Sequence, residues 1–226
     1  MRLFGRKVPL QPTIPEHSTH AVILVHGFNG REDKVVLNYL VIAKALGIEN
    51  FKIIGYLWKS VGRVGIIAYA MDRTRVNRSA WKELKAGIQQ LRDAGFTKVT
   101  LVAHSMGSVV ACEAIRQGAD ADIIIHGGDA LRKHFRPGKR YGQLHTHLTS
   151  FYSAADRVLN LAHVLIPWIR VGEKELPIEA VPVGQHPGRY VSIDACAVSG
   201  KRIRHTDYKS DSKVLAKTAQ ILAGAG

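Results

Sequence analysis

The residues from Ala103 to Gly107 have the composition of a turn that could carry a nucleophilic serine. Ser105 stands two residues after Ala103 and two before Gly107. Small side chains at those positions let a strand and a helix pass closely on either side of a sharp, strained turn, whose apex hydroxyl then points outward. A β-branched run precedes the turn and an apolar, helix-like run follows it. The pattern predicts a nucleophile at Ser105; the alternative is a serine that only caps a helix.

Two aspartates could supply the acid that such a serine requires. The nucleophile needs a base and the base needs an orienting acid, and in a strand-turn-helix arrangement the chain order is serine, acid, histidine. Asp156 follows the strand-like run 148–153, and we predict that it is the acid, a role compatible with capping the helical pattern after it. Asp129 follows the strand-like run 123–125 and is the alternative acid.

His205 is the predicted base among the eleven histidines of the chain. It follows the last predicted strand, 189–194, by a loop and precedes a terminal amphipathic helix. A loop in that position could bring the imidazole over the serine. We assign His26 and His104 to packing or turn hydrogen bonds, and an exposed loop histidine is the alternative interpretation of His205.

A second turn could bind a negatively charged oxygen formed during the reaction. The apolar strand-length run 21–25 ends in His26-Gly27-Phe28-Asn29. Gly27 gives the backbone freedom to aim the next amide, and a second donor is the amide directly after the nucleophile. We therefore expect the amides of Phe28 and Met106 to form an oxyanion hole, although a plain glycine-containing turn is the alternative.

With these motifs the sequence resembles the α/β-hydrolase superfamily from about residue 20 onward. The pentapeptide 103–107 is similar to that of small lidless bacterial lipases, and 25–29 with 56–60 resembles poorly characterised bacterial α/β-hydrolases with a His-Gly-Phe/Tyr-Asn turn. The resemblance implies a serine esterase or lipase with Ser105 as nucleophile, Asp156 as acid and His205 as base. It does not imply a substrate. A thioesterase or deacylase of acylated carriers or proteins, and a non-catalytic binding protein with a hydrolase fold, are the alternatives.

The periodicity predicts the elements that would position these residues. Apolar runs alternate with helical patterns, which is typical of a mostly parallel twisted sheet with helices on both faces, the α/β-hydrolase fold. We predict a single domain over 1–226, with 1–19 as an N-terminal extension. The predicted strands are 20–25, 51–57, 98–103, 121–126, 147–153 and 189–194, and the predicted helices are 34–46, 77–94, 107–117, 156–165 and 209–222.

Two segments could cover a substrate pocket. Residues 58–76 are apolar and glycine-punctuated, and a core helix with a loose start is their alternative interpretation. Residues 167–188 carry several prolines and charges and have the character of a long surface loop. We expect Gly27, Trp58 and Tyr69 to line the pocket.

The composition restricts the partners. Thirty-two Lys and Arg against eighteen Asp and Glu give a net charge of +14, which favours anionic lipid or an acidic substrate over nucleic acid as a partner; a solvated basic surface without a dedicated partner is the alternative. No nucleic-acid motif accompanies the charge, so the expected partner is a small ester or acyl substrate.

His145 and His147 lack further ligands, so we predict no metal and no cofactor, and Cys112 and Cys196 are expected to be free thiols. The absence of a signal-like or membrane-spanning run predicts a cytoplasmic location.

Overall fold

A seven-stranded sheet organises the part of the chain that the structure, a computed structural model, describes. Its order is β1-β3-β2-β4-β5-β6-β7; β1 is antiparallel to β3 and all other neighbours are parallel. The predicted fold class is confirmed. The described residues are 6–9, 18–28, 31–47, 50–60, 66–136, 138–142, 144, 146–159, 171–172, 174, 176 and 190–224. The strands are β1 (Arg6–Pro9), β2 (His20–Val25), β3 (Lys52–Leu57), β4 (Lys98–His104), β5 (Asp122–His126), β6 (Leu148–Tyr152) and β7 (Tyr190–Asp194).

Helices pack on both faces of this sheet. A five-residue π-helix, Val76–Ala80, joins α2 to α3, and short 3-10 turns lie at Arg132–Phe135 and Asp207–Lys209. The α-helices are α1 (Glu32–Leu46), α2 (Ile66–Arg75), α3 (Trp81–Asp93), α4 (Gly107–Arg116), α5 (Ala195–Ser199) and α6 (Ser212–Leu222).

Strand β2 shows why the core forms on two sides. Side chains alternate between the faces of a strand, and in β2 those of Ala21, Ile23 and Val25 join the core with α3 and α4, whereas Val22 and Leu24 join the core with α1 and α6. All five are at most 1% exposed. A strand covered on both faces has a continuous apolar sequence instead of an alternating one, which is the pattern that predicted it.

The direction of the chain across the sheet reverses beside β2. Strand β3 lies on one side of β2, and the chain then crosses to β4 on the other side. Val25 and Ala103 are paired in register, so the carboxyl ends of β2 and β4 lie next to each other. Such a switch point opens a crevice in which α/β proteins bind ligands. The two turns singled out from the sequence follow these two strand ends.

Strand β1 was missed by the sequence analysis, which assigned residues 1–19 to an extension. Arg6–Pro9 pairs with Leu57 to Ile54 at the edge of the sheet. An edge strand pairs on one side only and tolerates a proline, so its sequence lacks the apolar run that marks the inner strands.

The helical segment after β3 begins earlier than predicted. Helix α2 starts at Ile66 instead of residue 77 and continues through the π-helix into α3, so the second half of the segment 58–76 is helical. Of the predicted helix 156–165, residues 157–159 are helical, Asp156 directly precedes them, and 160–165 lie outside the described residues. Residues 61–65 and most of 167–188 also lie outside them, and a covering role for these segments stays a prediction.

Candidate active site

Ser105 occupies a strained turn between β4 and α4. It is the one non-glycine residue among those described with a positive φ, +54°, a conformation that costs a side-chain-bearing residue about 1–3 kcal/mol and is typical of functional turns. The turn is held on two sides, because the Ser105 amide donates to the His126 carbonyl at 3.1 Å and the Asp129 amide donates to the Ser105 carbonyl at 3.0 Å. The predicted strand-turn-helix context is present.

Close packing at the turn requires the two glycines. A Cβ on Gly107 would lie 2.5 Å from the His26 carbonyl oxygen and 2.6 Å from that of Val25. A Cβ on Gly27 would lie 2.6 Å from the Cβ of Ser105. Only glycine therefore lets the turn after β2 lie directly against the serine.

Ser105, His205 and Asp156 form one chain of hydrogen bonds. The Ser105 Oγ lies 2.9 Å from His205 Nε2, and His205 Nδ1 lies 2.7 Å from Asp156 Oδ2. The three residues are 7%, 9% and 0% exposed, respectively. A carboxylate can only accept, so Nδ1 carries the imidazole proton and the Nε2 lone pair faces the serine hydroxyl. This tautomer can remove the hydroxyl proton.

The loop that carries His205 is fixed by its neighbours. The Ser153 hydroxyl donates to the Ile203 carbonyl at 2.7 Å, and the Arg204 amide donates to the Asp207 carboxylate at 2.8 Å. The Nε2 of His104 donates to the carbonyl of His205 itself at 2.7 Å. The ring thus serves a hydrogen bond at the turn, the role predicted for it from the sequence, and burial lowers the pKa of His104 well below its usual value.

His26 and Trp58 brace the turn that contains Gly27 and Phe28. Their rings stack with centroids 5.0 Å apart, and the Trp58 indole donates to the His26 carbonyl at 2.8 Å. His26 Nδ1 lies 2.8 Å from the Gly27 carbonyl, and burial lowers the His26 pKa to about 4. The two predicted oxyanion donors belong to the turns that meet here. Phe28 lies in the turn after β2, and Met106 is the N-cap of α4, a position where the amide has no partner within the helix. Their binding of an oxyanion stays a prediction.

Asp129, the alternative acid, has other partners. Its carboxylate lies 2.6 Å from the Arg73 guanidinium and 2.8 Å from the Tyr69 hydroxyl. Both partners are on α2, so the contact ties that helix to the segment after β5. Of the two aspartates, it is Asp156 that the fold brings to His205.

A cavity of 220 Å³ opens beside Ser105 and His205. Its lining includes Gly27 and Phe28, as predicted for Gly27, but neither Trp58 nor Tyr69. Trp58 is 3% exposed behind His26, and Tyr69 packs its ring edge-to-face on Phe28 at 5.5 Å. These two residues therefore support this pocket from behind. Further lining residues that were not predicted come from α1 with its N-cap and from the turn after His205, segments that lie close in sequence to Phe28 and His205: Arg31, Lys34, Val35, Asn38, Tyr39, Ile42, Thr206 and Lys209.

Within the described ranges, no three His, Cys, Asp or Glu side chains are grouped as metal ligands are. Cys112 is buried on α4 and Cys196 is half-buried, and neither forms a disulfide. No helix in the described part of the chain combines the length and the apolar character needed to cross a bilayer.

Comparison with solved structures gives the same fold at low sequence identity. Lipase B of Aspergillus fumigatus superposes with a TM-score of 0.62 at 12% identity, covering 94% of this chain and 54% of that one. The esterase domain of a Rhodothermus marinus protein superposes with a TM-score of 0.52 at 14% sequence identity, covering 93% of this chain and 88% of that one. A predicted CIB-like hydrolase from Thermoplasma acidophilum superposes with a TM-score of 0.52 at 11% sequence identity, covering 92% of this chain and 88% of that one.

Among curated proteins, none matches the sequence significantly. One family model does match, over residues 7–224, and its description is an alpha/beta hydrolase of unknown function, DUF900. The match spans nearly all of the chain, including both turns and the three hydrogen-bonded residues. The chain therefore belongs to the DUF900 family of alpha/beta hydrolases.

Proposed function

We propose that this protein is a serine hydrolase that cleaves carboxylic esters through an acyl-enzyme intermediate. The observation that carries the proposal is the unbroken chain of hydrogen bonds from Ser105 Oγ through the His205 ring to Asp156. The strained backbone of Ser105 at a switch point of the sheet supports the same conclusion. Two proteins of similar fold are called a lipase and an esterase, which makes an ester the first substrate to test.

The reaction has two steps. His205 Nε2 takes the Ser105 proton while Oγ attacks the ester carbonyl, and the amides of Phe28 and Met106 stabilise the resulting oxyanion. The protonated His205 then gives its proton to the leaving alcohol as the carbon–oxygen bond breaks. In the second step His205 deprotonates water, which attacks the acyl group and releases the carboxylic acid with free Ser105.

A fluorophosphonate probe and a short para-nitrophenyl ester test this proposal together. Wild-type protein should be labelled on Ser105 and should hydrolyse the ester. Ser105→Ala should lose labelling and about three or more decades of turnover, whereas Ser79→Ala, an exposed serine on the π-helix, should lose neither. Unlabelled wild-type protein without esterase activity would favour the binding-protein alternative.

The same assay checks that the residues act as a unit. The double variant Ser105→Ala/His205→Ala should be hardly slower than either single variant, because the remaining rate comes from binding and the oxyanion amides. Matched oxygen and sulfur esters then separate an esterase from a thioesterase, since a preference for the sulfur ester would select the latter.

A further inference from the structure

The pocket beside Ser105 and His205 has an unbalanced charge. Arg31, Lys34 and Lys209 contribute to its lining, and none of the described residues that line it is an aspartate or a glutamate. Like charges gathered at one cleft focus the electrostatic field there. A neutral ester needs no such arrangement, so the charge requires its own explanation.

Lys209 is the most informative of the three cations. It ends the 3-10 turn that follows His205 and is half-buried. Its side chain makes no ion pair or hydrogen bond with the described residues. Burial lowers the pKa of its ammonium group. Removing an ammonium group from water without a partner costs free energy, and an anion bound in the pocket would offset that cost.

The other two cations lie closer to the solvent. Lys34 is exposed in the first turn of α1. Arg31 pairs with Asp33 at 3.1 Å, but both side chains are more than half exposed, and such surface pairs are weak. Arg31 is therefore free to exchange this partner for a ligand.

The floor of the pocket is apolar. Val35, Tyr39 and Ile42 of α1 are each at most 6% exposed and line the same cavity. Its 220 Å³ is below the roughly 300–1,000 Å³ of pockets for drug-sized ligands. The site thus combines a small apolar cavity with a positively charged opening.

We propose that the natural ester carries an anionic group, a carboxylate or a phosphate, which binds Lys209 and Lys34 while a short aliphatic part contacts α1. The inference rests on the proposed function, because it places the scissile carbonyl at Ser105. It adds the substrate class: small, water-soluble anionic esters instead of neutral ones.

Two pairs of esters that differ in one carboxylate test the substrate class. Mono-para-nitrophenyl adipate and para-nitrophenyl hexanoate differ on the acyl side, and meta-carboxyphenyl butyrate and phenyl butyrate differ on the alcohol side. In one of the pairs the anionic member should have a kcat/KM about tenfold higher, as expected for a hydrogen bond to a charged group. Equal or lower values in both pairs would overturn the inference.

Variants assign the preference to the pocket. Lys209→Gln and Lys34→Gln should each reduce the ratio of anionic to neutral kcat/KM several-fold, and Lys209→Arg should retain it. The matched control is Lys213→Gln, an exposed lysine of α6 outside the pocket lining. The ratio compares two substrates on the same protein, so partial unfolding of a variant cancels. A ratio that falls equally in Lys213→Gln would show that overall charge, not this pocket, is responsible.

The failure of this inference can be told from failure of the proposed function. Wild-type protein that is labelled by the phosphonate probe and cleaves both members of each pair equally would overturn the inference alone. Protein that is neither labelled nor active would overturn both. A third result is also possible: the two members of each soluble pair are cleaved at equal rates, but a neutral lipid ester is cleaved faster in anionic than in zwitterionic vesicles. This result would mean that the positive charge binds a lipid surface, and it would overturn the pocket assignment.

Discussion

Asp156 uses its two carboxylate oxygens for two different tasks. Oδ2 accepts from His205 Nδ1 at 2.7 Å, and Oδ1 accepts from the amides of Val158 and Leu159 at 3.2 Å each. The second contact is the helix cap that the sequence analysis gave as compatible with the acid role, and the first contact is the one that the acid role requires. The cap fixes the carboxylate and the carboxylate fixes the imidazole tautomer, so a local contact in the chain orients a distant imidazole.

The two candidate acids can be separated by the same substitution at each position. Asp156→Asn should reduce turnover by about two to four decades, because an amide no longer selects the productive tautomer of His205. Asp129→Asn should instead cost about 2–3 kcal/mol of stability, because it leaves Arg73 without its charged partner. The measurements are kcat on a short ester and the free energy of unfolding in urea. The opposite pattern of effects would transfer the acid role to Asp129.

At the scale of elements, the site depends on how closely β2 and α4 approach each other. The strand ends at Val25 and the helix begins at Gly107, with the carbonyls of Val25 and His26 against the helix start. Helix α2 supports this junction through the contacts of Arg73 and Tyr69 with Asp129. The helical part of the segment after β3 therefore acts as a brace.

Gly107→Ala tests the role of this approach. The new methyl group would lie within 2.6 Å of two backbone oxygens, so the turn carrying Phe28 must shift, at a cost of about 1–3 kcal/mol. We expect turnover per folded molecule to fall at least tenfold. Gly95→Ala is the control, since at φ +94° it adds backbone strain but no atom lies within 4 Å of its Cβ. It should lose stability while its kcat stays at the wild-type level; a Gly107→Ala enzyme with wild-type kcat would show that the turn tolerates displacement.

At the scale of the whole molecule, buried neutral histidines surround the carboxyl ends of the central strands. Burial lowers the pKa of His26 and of His126 to about 4, and that of His104 falls well below its usual value. His126 lies 2.9 Å from the Thr218 hydroxyl, which donates its own proton to the Val214 carbonyl. The ring must therefore donate through Nε2, and protonation of its other nitrogen would place an unpaired charge in the core.

These groups predict the direction of the pH dependence of stability. An unfolded histidine binds a proton below pH 6.5 and these folded ones do not, so stability is complete above about pH 6.5 and decreases as the pH falls toward 4. His126 alone contributes a slope of up to about 1.4 kcal/mol per pH unit. Urea unfolding between pH 4.5 and 6.5 measures it, and His126→Gln should show a shallower slope. An unchanged slope would mean that His126 is protonated in the folded protein.

Two carboxylates add to the slope at the acidic end of that window. Burial raises the pKa of Glu113 and Asp211, but hydrogen bonds outweigh it, including those from Arg116 to Glu113 and from the Val214 amide to Asp211, and both values lie below the usual one. Their contribution is present above the ordinary carboxyl pKa and is lost only at lower pH. This carboxylate contribution is common to the wild type and His126→Gln, so the difference between their slopes isolates His126.

Features that depend on neighbouring residues could be predicted from the sequence. Strand-like runs marked the six parallel strands to within a residue at each end, most clearly in β2, where an apolar run is covered on both faces. The small residues around Ser105 and Gly27 marked the two turns. These signals are local, because strand burial and turn geometry restrict residue types over a few positions. The order of elements then led to His205 as the histidine after the last strand.

Features that depend on residues far apart in the chain became visible only once the elements were packed together. Asp129 and Asp156 follow adjacent strands in the same way, and the choice between them depends on Arg73 and Tyr69, which come from α2. Strand β1 has no local apolar signal and is recognised by its pairing with β3. Lys34 and Lys209 share a pocket because α1 and the His205 loop meet over the sheet. Such contacts are set by packing between elements, which residue type and spacing along the chain do not encode.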